Sequence, residues 1–311
     1  MRNPACSVVM PLYNKEQELP ATLVSVLNQT FSDFELLVIN DGSTDRSVQI
    51  VQGFDDNRII IFYQENAGVS AARNKGISKA RSDLIVFIDA DDLWHPDFLR
   101  TITTLRADYP QAKWFATGYE IVHPETGRTF SKLRGPAEAF QRGILPDYFG
   151  VAVCSDPPVW SSATAVMRDA IDAIGGFPVG IKSGEDLLTW ARLAVRFPLA
   201  YEARSLATFR VSGIHRRPDP GNKVGDALER LTEGLPQIKG LRAYLGLWYR
   251  MQAVMAMRFG ESALARQQAW LAVRYGPGQF RNFYVLFLSL MPTKTQALVD
   301  LTIRKLINIR K

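Results

Sequence analysis

Apolar residues in the first 110 positions switch between two periods, and this switching predicts four strand–helix pairs. Short apolar runs of strand length alternate with segments in which apolar residues recur at helical spacing. The predicted strands are Ser7–Tyr13, Phe34–Asn40, Arg58–Tyr63 and Leu84–Ile88, and a predicted helix follows each of them. Because the connections are only a few residues long, the pattern predicts right-handed βαβ units around a parallel sheet.

Polar side chains follow each of these strands at the point where the strand ends. Tyr13 and Asn14 follow the first strand, Asp41 follows the second, Asn66 the third, and the carboxylates of residues 89–92 the fourth. Ligands of open parallel sheets bind beyond the carboxyl ends of the strands. The four strand ends therefore predict one binding rim.

The fourth strand runs directly into a cluster of carboxylates. Asp89, Asp91 and Asp92 stand within four positions of one another. Carboxylates this close repel each other, and a hard divalent cation would offset the repulsion. An acidic turn that caps the helix after Pro96 accounts for the same residues. Taken alone, the residues leave both interpretations open.

Two familiar nucleotide-binding loops are missing from the sequence. A nicotinamide-type Rossmann domain requires G-x-G-x-x-G after its first strand, whereas the segment PLYNKEQELP has no glycine. The P-loop pattern G-x-x-x-x-G-K-[ST] does not occur either. The predicted sheet is therefore not expected to bind its ligand in either of these ways.

The alternation continues beyond residue 110 but becomes less regular. Further strands are predicted over 113–122 and 161–168, and an amphipathic helix follows Gly184. Residues 123–160 are rich in Gly and Pro and lack periodicity, which predicts loops lining a variable pocket. From Asp226 onward the pattern is helical.

Composition narrows the class of protein. Of the 311 residues, 47% are apolar and 22% charged, which is ordinary for a soluble globular protein. The cysteines, Cys6 and Cys154, are far apart and lack a C-x-x-C partner, so we expect no structural zinc, no disulfide framework and a reducing compartment. No signal peptide is recognised, and the strongly apolar runs are shorter than the roughly 20 residues that span a bilayer.

Positive charge is concentrated in the last third of the chain. Residues 221–311 contain fourteen Lys/Arg and five Asp/Glu, a net charge of +9, so the first 220 residues carry −3 of the overall +6. A basic amphipathic end such as LTIRKLINIRK can lie on an anionic membrane surface. A helical subdomain with an ordinary solvated face explains the same charges.

Five segments, taken in order, resemble the GT-A fold glycosyltransferases of family 2. They are SVVMPLYNKEQELPATLVSVLNQTFSDFELLVINDGSTD, ENAGVSAARNKGI, FIDADDLW, GGFP and GEDLLTWARLA. The resemblance covers roughly residues 5–215 and implies a Rossmann-like, mostly parallel sheet flanked by helices. It implies a glycosyltransferase domain over residues 1–220, with a nucleotide-sugar half (about 1–110) and an acceptor half (about 111–220). Residues 221–311 would form a helical extension, about which the resemblance says nothing specific.

The resemblance also assigns a donor site to the rim. Pro11 and Tyr13 would pack against the base of a nucleotide-sugar, Asp41 would hydrogen-bond to it, Arg73 would reach the donor or its phosphate, and Asp89 would lie near the ribose. Further implied donor-site residues are Asn14, Glu16 and Asn66. A turn or cap role for Asp41 and a solvated helix face for Arg73 remain as simpler alternatives.

The same resemblance implies a metal site and a catalytic base. Asp91 would bind Mn²⁺ or Mg²⁺, with Asp92 and His215 as further candidate ligands, and the cation would neutralise the charge that develops on the diphosphate. Asp186 matches the family's catalytic base, which accepts the proton of the acceptor hydroxyl. Glu185 would orient the acceptor or the helix start. Favourable negative charge at a helix N-terminus is the alternative for both residues.

The expected function is metal-dependent transfer of a sugar from a nucleoside-diphosphate sugar to an acceptor hydroxyl, by a single displacement with inversion. Uridine is the commonest base in the family, and bacterial polysaccharide or glycoconjugate synthesis is its usual setting. We expect a saccharide or lipid-linked saccharide acceptor, no nucleic acid, and a cytoplasmic protein with a possible membrane contact at the inner face through its basic C-terminus. A sugar-phosphate nucleotidyltransferase and a non-catalytic nucleotide-sugar-binding protein are the alternatives.

Overall fold

The computed structural model describes residues 3–125, 127–211 and 223–292, and the chain divides into two units, 1–214 and 215–311. The strands of the first unit are β1 (Cys6–Leu12), β2 (Phe34–Asp41), β3 (Ile59–Gln64), β4 (Leu84–Phe87), β5 (Leu93–Trp94), β6 (Trp114–His123), β7 (Gly127–Phe130), β8 (Arg142–Ile144), β9 (Thr164–Met167) and β10 (Leu199–Arg210). Its helices are α1 (Leu19–Leu27), α2 (Ser47–Gln52), α3 (Val69–Lys79), α4 (Phe98–Asp108), α5 (Tyr148–Cys154), α6 (Arg168–Ala173) and α7 (Glu185–Ala194).

The described strands form one mostly parallel sheet in the order β3-β2-β1-β4-β9-β6-β10-β5, with β7 paired to β6 and β8 to β10. Strands β1 to β4 run parallel, β9 lies antiparallel between β4 and β6, and β10 runs parallel to β6. The carboxyl ends of β1, β2, β3, β4, β6 and β10 therefore lie along one edge. The predicted mostly parallel α/β fold is confirmed.

Strands β1, β2 and β4 are buried along almost their whole length, as expected of a sheet covered on both faces. Helix α3 lies very close to this sheet. A Cβ added at Gly76 would be 2.3 Å from Cγ1 of Val9, so only glycine permits this approach. The close packing places α3 directly against the middle of β1.

The segment 123–160 differs from the prediction, because it is not made of loops alone. It contains strands β7 and β8 and helix α5, whose residues Tyr148, Phe149, Val151 and Ala152 are buried. The sequence YFGVAVC has no polar position to mark a solvent face. Hydrophobic periodicity therefore could not distinguish this short buried helix from an apolar loop.

The described part of the second unit is helical, as predicted. Its helices are α8 (Val224–Gly234), α9 (Leu241–Arg258), α10 (Ser262–Tyr275) and α11 (Phe280–Ser289). Ala253, Ala269 and Val285 form a small core between α9, α10 and α11. No helix in the described ranges is both long enough and apolar enough to cross a bilayer.

Candidate active site

The turn after β1 is fastened to the loop after β2. Asn14 Oδ1 accepts a hydrogen bond from the backbone N–H of Thr44 at 2.8 Å, and Glu16 Oε2 accepts one from that of Arg46 at 3.0 Å. Both side chains, predicted to contact the donor, thus hold two loops of the rim together. Tyr13 precedes them with 47% of its surface exposed, and Pro11 is half-buried within β1.

Asp41, at the end of β2, is buried and organises the next loop. Its Oδ1 accepts from Gln64 Nε2 at 2.7 Å and from the N–H of Ala67 at 2.8 Å, while Oδ2 accepts from the N–H of Gly68 at 2.9 Å. These bonds fix the entry into α3 and leave Asn66 exposed. The geometry corresponds to the turn alternative, and a bond from Asp41 to a nucleotide base stays a prediction.

Arg73 in α3 is a buried link between two acidic groups. It is 2% exposed, and its Nη2 donates to Asp89 Oδ1 at 2.8 Å while Nη1 lies 3.4 Å from Glu185 Oε1. The guanidinium also lies over the ring of Phe177, 5.0 Å from its centroid. Such burial is incompatible with the solvated helix face considered above. Both terminal nitrogens are directed at carboxylates, and a contact of Arg73 with the donor or its phosphate stays a prediction.

A second contact of α3 holds the glycine-rich loop before α7. Asn74 Oδ1 accepts from the N–H of Phe177 and its Nδ2 donates to the carbonyl of Phe177, both at 2.8 Å. Gly176 has a φ of +71°, and a Cβ there would be 2.7 Å from Asn74 Oδ1. The GGF motif is therefore the place where the start of α7 is tied to the donor half of the sheet.

Asp92 is the most deeply buried of the three clustered carboxylates. It is 1% exposed, and its oxygens accept from the N–H of Arg210 at 3.1 Å, from Trp160 Nε1 at 2.9 Å and from Ser162 Oγ at 2.6 Å. Burial, followed by the charges of Asp89 and Asp91, raises the pKa of Asp92 to about 8, although the hydrogen bonds from Ser162 and Trp160 act in the opposite direction.

Of the two alternatives considered for Asp92, the capping role is wrong and the ligand role stays a prediction. Helix α4 begins at Phe98 after the N-cap residue Asp97, so Asp92 does not cap it. Metal ligation by Asp92 also has no support in this geometry, because protein donors already occupy both carboxylate oxygens. Its contacts make it a structural joint between the end of β4, the end of β10 and the segment before β9.

Asp91 is partly exposed and paired with a cation of the protein itself. Lys15 Nζ lies 2.5 Å from Asp91 Oδ2, with side-chain exposures of 29% and 21%. The backbone on the other side is held by Arg210, whose Nε donates to the carbonyl of Asp91 and whose Nη2 donates to that of Glu18 at 3.1 Å. Sequence reasoning did not find Lys15 or Arg210. A separation of 119 residues between Asp91 and Arg210 leaves no local signal for their contact.

Asp186 is the second residue of α7, whose N-cap residue Gly184 has a φ of +81° that lets the chain turn into the helix. Its Oδ1 accepts from the N–H of Leu187 at 2.7 Å. Burial and then the neighbouring charge of Glu185 raise the pKa of Asp186 to about 7, while Arg73 acts to lower it. Unlike Asp92, Asp186 keeps part of its surface accessible to solvent.

Glu185 is 8% exposed and faces Arg73, so its contacts position that guanidinium and the helix start. Asp89, partly exposed at the end of β4, is the other partner of Arg73. Asp89 after β4 and Glu185 at the first position of α7 are therefore joined through one buried cation, Arg73. The sequence placed these motifs in order along the chain, but the bridge between them appears only in the fold.

The described residues at this site offer few ligands for a divalent cation. Within the described ranges, no group of three or more His, Cys, Asp or Glu side chains is arranged to hold a metal ion. His215 lies outside the described residues. Mg²⁺ commonly takes one or two carboxylates and fills its remaining positions with phosphate oxygens and water. The partly exposed Asp91 suits that kind of site once Lys15 is displaced.

Comparison with known proteins agrees with this architecture. The model of glycosyl transferase family 2 matches residues 7–152. An uncharacterized glycosyltransferase of Rickettsia bellii is 28% identical over 236 residues, which is 75% of this chain and 32% of that protein. The glycosyltransferase GlyA of Streptococcus pneumoniae is 40% identical over 131 residues, 42% of this chain and 19% of that protein. The chain spans about a third of the length of the curated relatives it matches first.

Solved structures resemble the fold over most of the chain. Crystal structures of S. aureus TarS residues 1–349, one of them in complex with UDP-GlcNAc, superpose with TM-scores of 0.66 and 0.67 at 15% identity. The alignments cover 94% of this chain and 87% of those chains. At this identity the likeness shows the fold, which is GT-A-like. Residues 7–152 are thus similar to glycosyl transferase family 2, within a fold shared with the TarS structures.

Proposed function

We propose that this protein transfers a sugar from a nucleoside-diphosphate sugar to an acceptor hydroxyl. The observation that carries the proposal is the buried Arg73, which joins Asp89 at the end of β4 to Glu185 beside Asp186. A donor-binding edge and a carboxyl group able to take up a proton are thereby held in one fixed arrangement. Preorganised groups of this kind are what a displacement reaction requires.

In the proposed reaction, Asp186 is the general base. The acceptor oxygen forms a bond to the anomeric carbon, the bond from that carbon to the diphosphate oxygen breaks, and the acceptor proton passes to the Asp186 carboxylate. A pKa of about 7 suits this role, because a base works best when its pKa lies near the working pH. One base and one displacement would invert the anomeric configuration.

We propose Asp91 as the protein ligand of a divalent cation, Mn²⁺ or Mg²⁺, with Lys15 moving away from it. Such a cation acts as a Lewis acid on phosphoryl oxygens. The role of His215 as a further ligand stays a prediction. Asp92 is left out of the proposed ligand set because of its buried contacts.

The proposed donor is a uridine-diphosphate sugar. Support comes from the family match and from the shared fold of TarS, whose structure was determined with UDP-GlcNAc. For the acceptor we propose a saccharide or lipid-linked saccharide of the bacterial cell envelope. A lipid-linked acceptor would place the protein at the inner face of the plasma membrane.

A thermal-shift panel of UDP-, GDP- and dTDP-sugars, each with and without Mn²⁺, tests the donor proposal. We expect UDP-sugars to raise the melting temperature, and more so with Mn²⁺. Tyr13→Ala should reduce that shift, whereas Tyr63→Ala, which changes a similarly exposed ring (54% against 47%), should not. Stabilisation by none of the donors would contradict the proposal.

A second assay separates the proposal from its main alternative. A nucleotidyltransferase would convert a nucleoside triphosphate and a sugar 1-phosphate into pyrophosphate and a nucleotide-sugar. The proposed enzyme should instead release a nucleoside diphosphate from the nucleotide-sugar. Pyrophosphate release from the first substrate pair would favour the nucleotidyltransferase.

A further inference from the structure

We propose that helix α11 docks the protein on an anionic lipid bilayer. Large apolar side chains of this helix and of its C-cap residue Leu290 face solvent. We name them the α11 stripe: Phe280, Phe283, Phe287 and Leu290, which are 82%, 46%, 55% and 65% exposed. This inference does not depend on the proposed reaction. It rests on described residues alone, and the basic chain end lies outside them.

The stripe forms one continuous face. At 3.6 residues per turn, its positions fall within an arc of about 80°. The buried positions Asn282, Val285, Leu288 and Ser289 lie on the opposite side of the helix. An aromatic-rich face opposite a packed face is typical of helices that lie in a membrane interface.

Hydrogen bonds fix which side of α11 faces outward. The fully buried Asn282 donates from Nδ2 to the carbonyls of Ala272 at 2.8 Å and Gly276 at 2.9 Å, and its Oδ1 accepts from Arg250 Nη1 at 3.0 Å. A rotation of the helix that would bury the stripe would break all three bonds. The exposure of the aromatic rings is therefore built into the packing of this unit.

The positive charge of the second unit favours an anionic lipid bilayer as the partner of the α11 stripe. From Lys239 to Pro292 the chain has seven Lys/Arg and one Asp/Glu, Glu261. Helix α10 of the same unit also has an exposed aromatic residue, Trp270 (54% exposed), whose ring centroid lies 5.6 Å from the guanidinium carbon of Arg274. Cationic and aromatic side chains together complement anionic headgroups above an apolar layer. A second copy of the chain would instead bring two cationic surfaces together.

The test is co-sedimentation of the full chain with vesicles of phosphatidylcholine containing phosphatidylglycerol, and with phosphatidylcholine alone. We expect binding to the anionic vesicles that weakens with salt and is much weaker on neutral ones. Each of Phe280→Ser and Phe287→Ser should lower the partition coefficient about tenfold, because each removes an inserted ring. As matched controls, Phe130→Ser and Val179→Ser change exposed apolar residues of the first unit and should leave binding unchanged.

Two outcomes would overturn the proposal. One is equal vesicle binding by the wild-type chain and by the variant with both phenylalanines of the stripe replaced, with folding verified by circular dichroism. The other is absence of vesicle binding by the wild-type chain. In that case light scattering is used to look for a dimer that the same substitutions dissociate. That last result would assign the stripe to a second copy of the chain.

Discussion

Two carboxyl groups in the first unit lie among protein atoms and have raised pKa values, but their partners differ. Asp92, after β4, accepts hydrogen bonds from the N–H of Arg210, the indole of Trp160 and the hydroxyl of Ser162. Asp186, in the first turn of α7, accepts one from the N–H of its own neighbour Leu187 and remains partly accessible. Burial is the largest cause of the raised pKa in both.

The different contacts of Asp92 and Asp186 show that a raised pKa does not identify a catalytic group by itself. A carboxylate enclosed by fixed donors cannot approach a substrate, and its removal would leave those donors without a hydrogen-bond acceptor. A carboxyl group that titrates near neutral pH and can be reached from solvent is able to exchange a proton. We therefore expect Asp186 to matter mainly for turnover and Asp92 mainly for stability.

The largest expected effect comes from Asp186→Asn. Without a carboxylate to take up the acceptor proton, kcat should fall about 10²- to 10⁴-fold, the usual contribution of a general base. Donor affinity, measured by calorimetry, should change little because the amide retains the size of the side chain. Retained turnover would refute the assignment of the base, and lost donor binding would indicate a structural role instead.

Next in size is the effect of removing Arg73. Arg73→Met leaves Asp89 and Glu185 without their shared cation, and breaking a buried ion pair from one side lowers the free energy of unfolding by about 3–5 kcal/mol. Arg46→Met is the control, since its side chain is 81% exposed and pairs with Glu16 on the surface. Denaturant unfolding followed by circular dichroism measures both. A loss no larger than that of the control would mean that the bridge does not hold the two halves together.

Asp92→Ala should destabilise the fold somewhat less. The N–H of Arg210, the indole N–H of Trp160 and the Ser162 hydroxyl would lose their acceptor, and we expect a decrease of about 3 kcal/mol in the free energy of unfolding. Asp55→Ala, at an exposed position, should have little effect. If Asp92→Ala left stability unchanged but abolished Mn²⁺ binding, the ligand role predicted from the sequence would be correct after all.

These contacts also show how far the sequence alone could lead. Local patterns predicted the strand–helix pairs, and the observed bounds differ little from the prediction: the third strand was expected over Arg58–Tyr63 and β3 covers Ile59–Gln64. The motifs around Asp89 and Asp186 could be recognised because each is continuous in the chain. Their position at strand and helix ends followed from the fold class.

What the sequence could not supply were contacts between distant segments. Asp92 meets Ser162 across 70 residues and Arg210 across 118, and Arg73 meets Glu185 across 112. Asp89, Asp91 and Asp92 look alike in sequence. In the fold, Asp92 is buried, Asp91 is paired with Lys15, and Asp89 is paired with Arg73. Their different surroundings depend on packing, which neither periodicity nor composition records.

The pH dependence of kcat/KM tests whether Asp186 is the group that titrates in the reaction. The base acts only when ionised, so protonation of Asp186 as the pH falls through about 7 should reduce kcat/KM, about tenfold for each pH unit below that value. Above pH 7 the profile should level off. The residual activity of Asp186→Asn should lack this limb, and a limb of equal size in that variant would assign the titration to another group.

The smallest expected effect concerns the third carboxylate, Asp91, whose partner Lys15 occupies the position proposed for a cation. If Lys15 competes with the metal, Lys15→Met should tighten Mn²⁺ binding by about two- to fivefold, since partly exposed ion pairs are weak. Electron paramagnetic resonance of free Mn²⁺ measures this without any substrate. Asp91→Asn should weaken binding in the same assay. Weaker binding in Lys15→Met would instead mean that Lys15 supports the metal site, and an unchanged affinity in Asp91→Asn would remove Asp91 from the proposed ligand set.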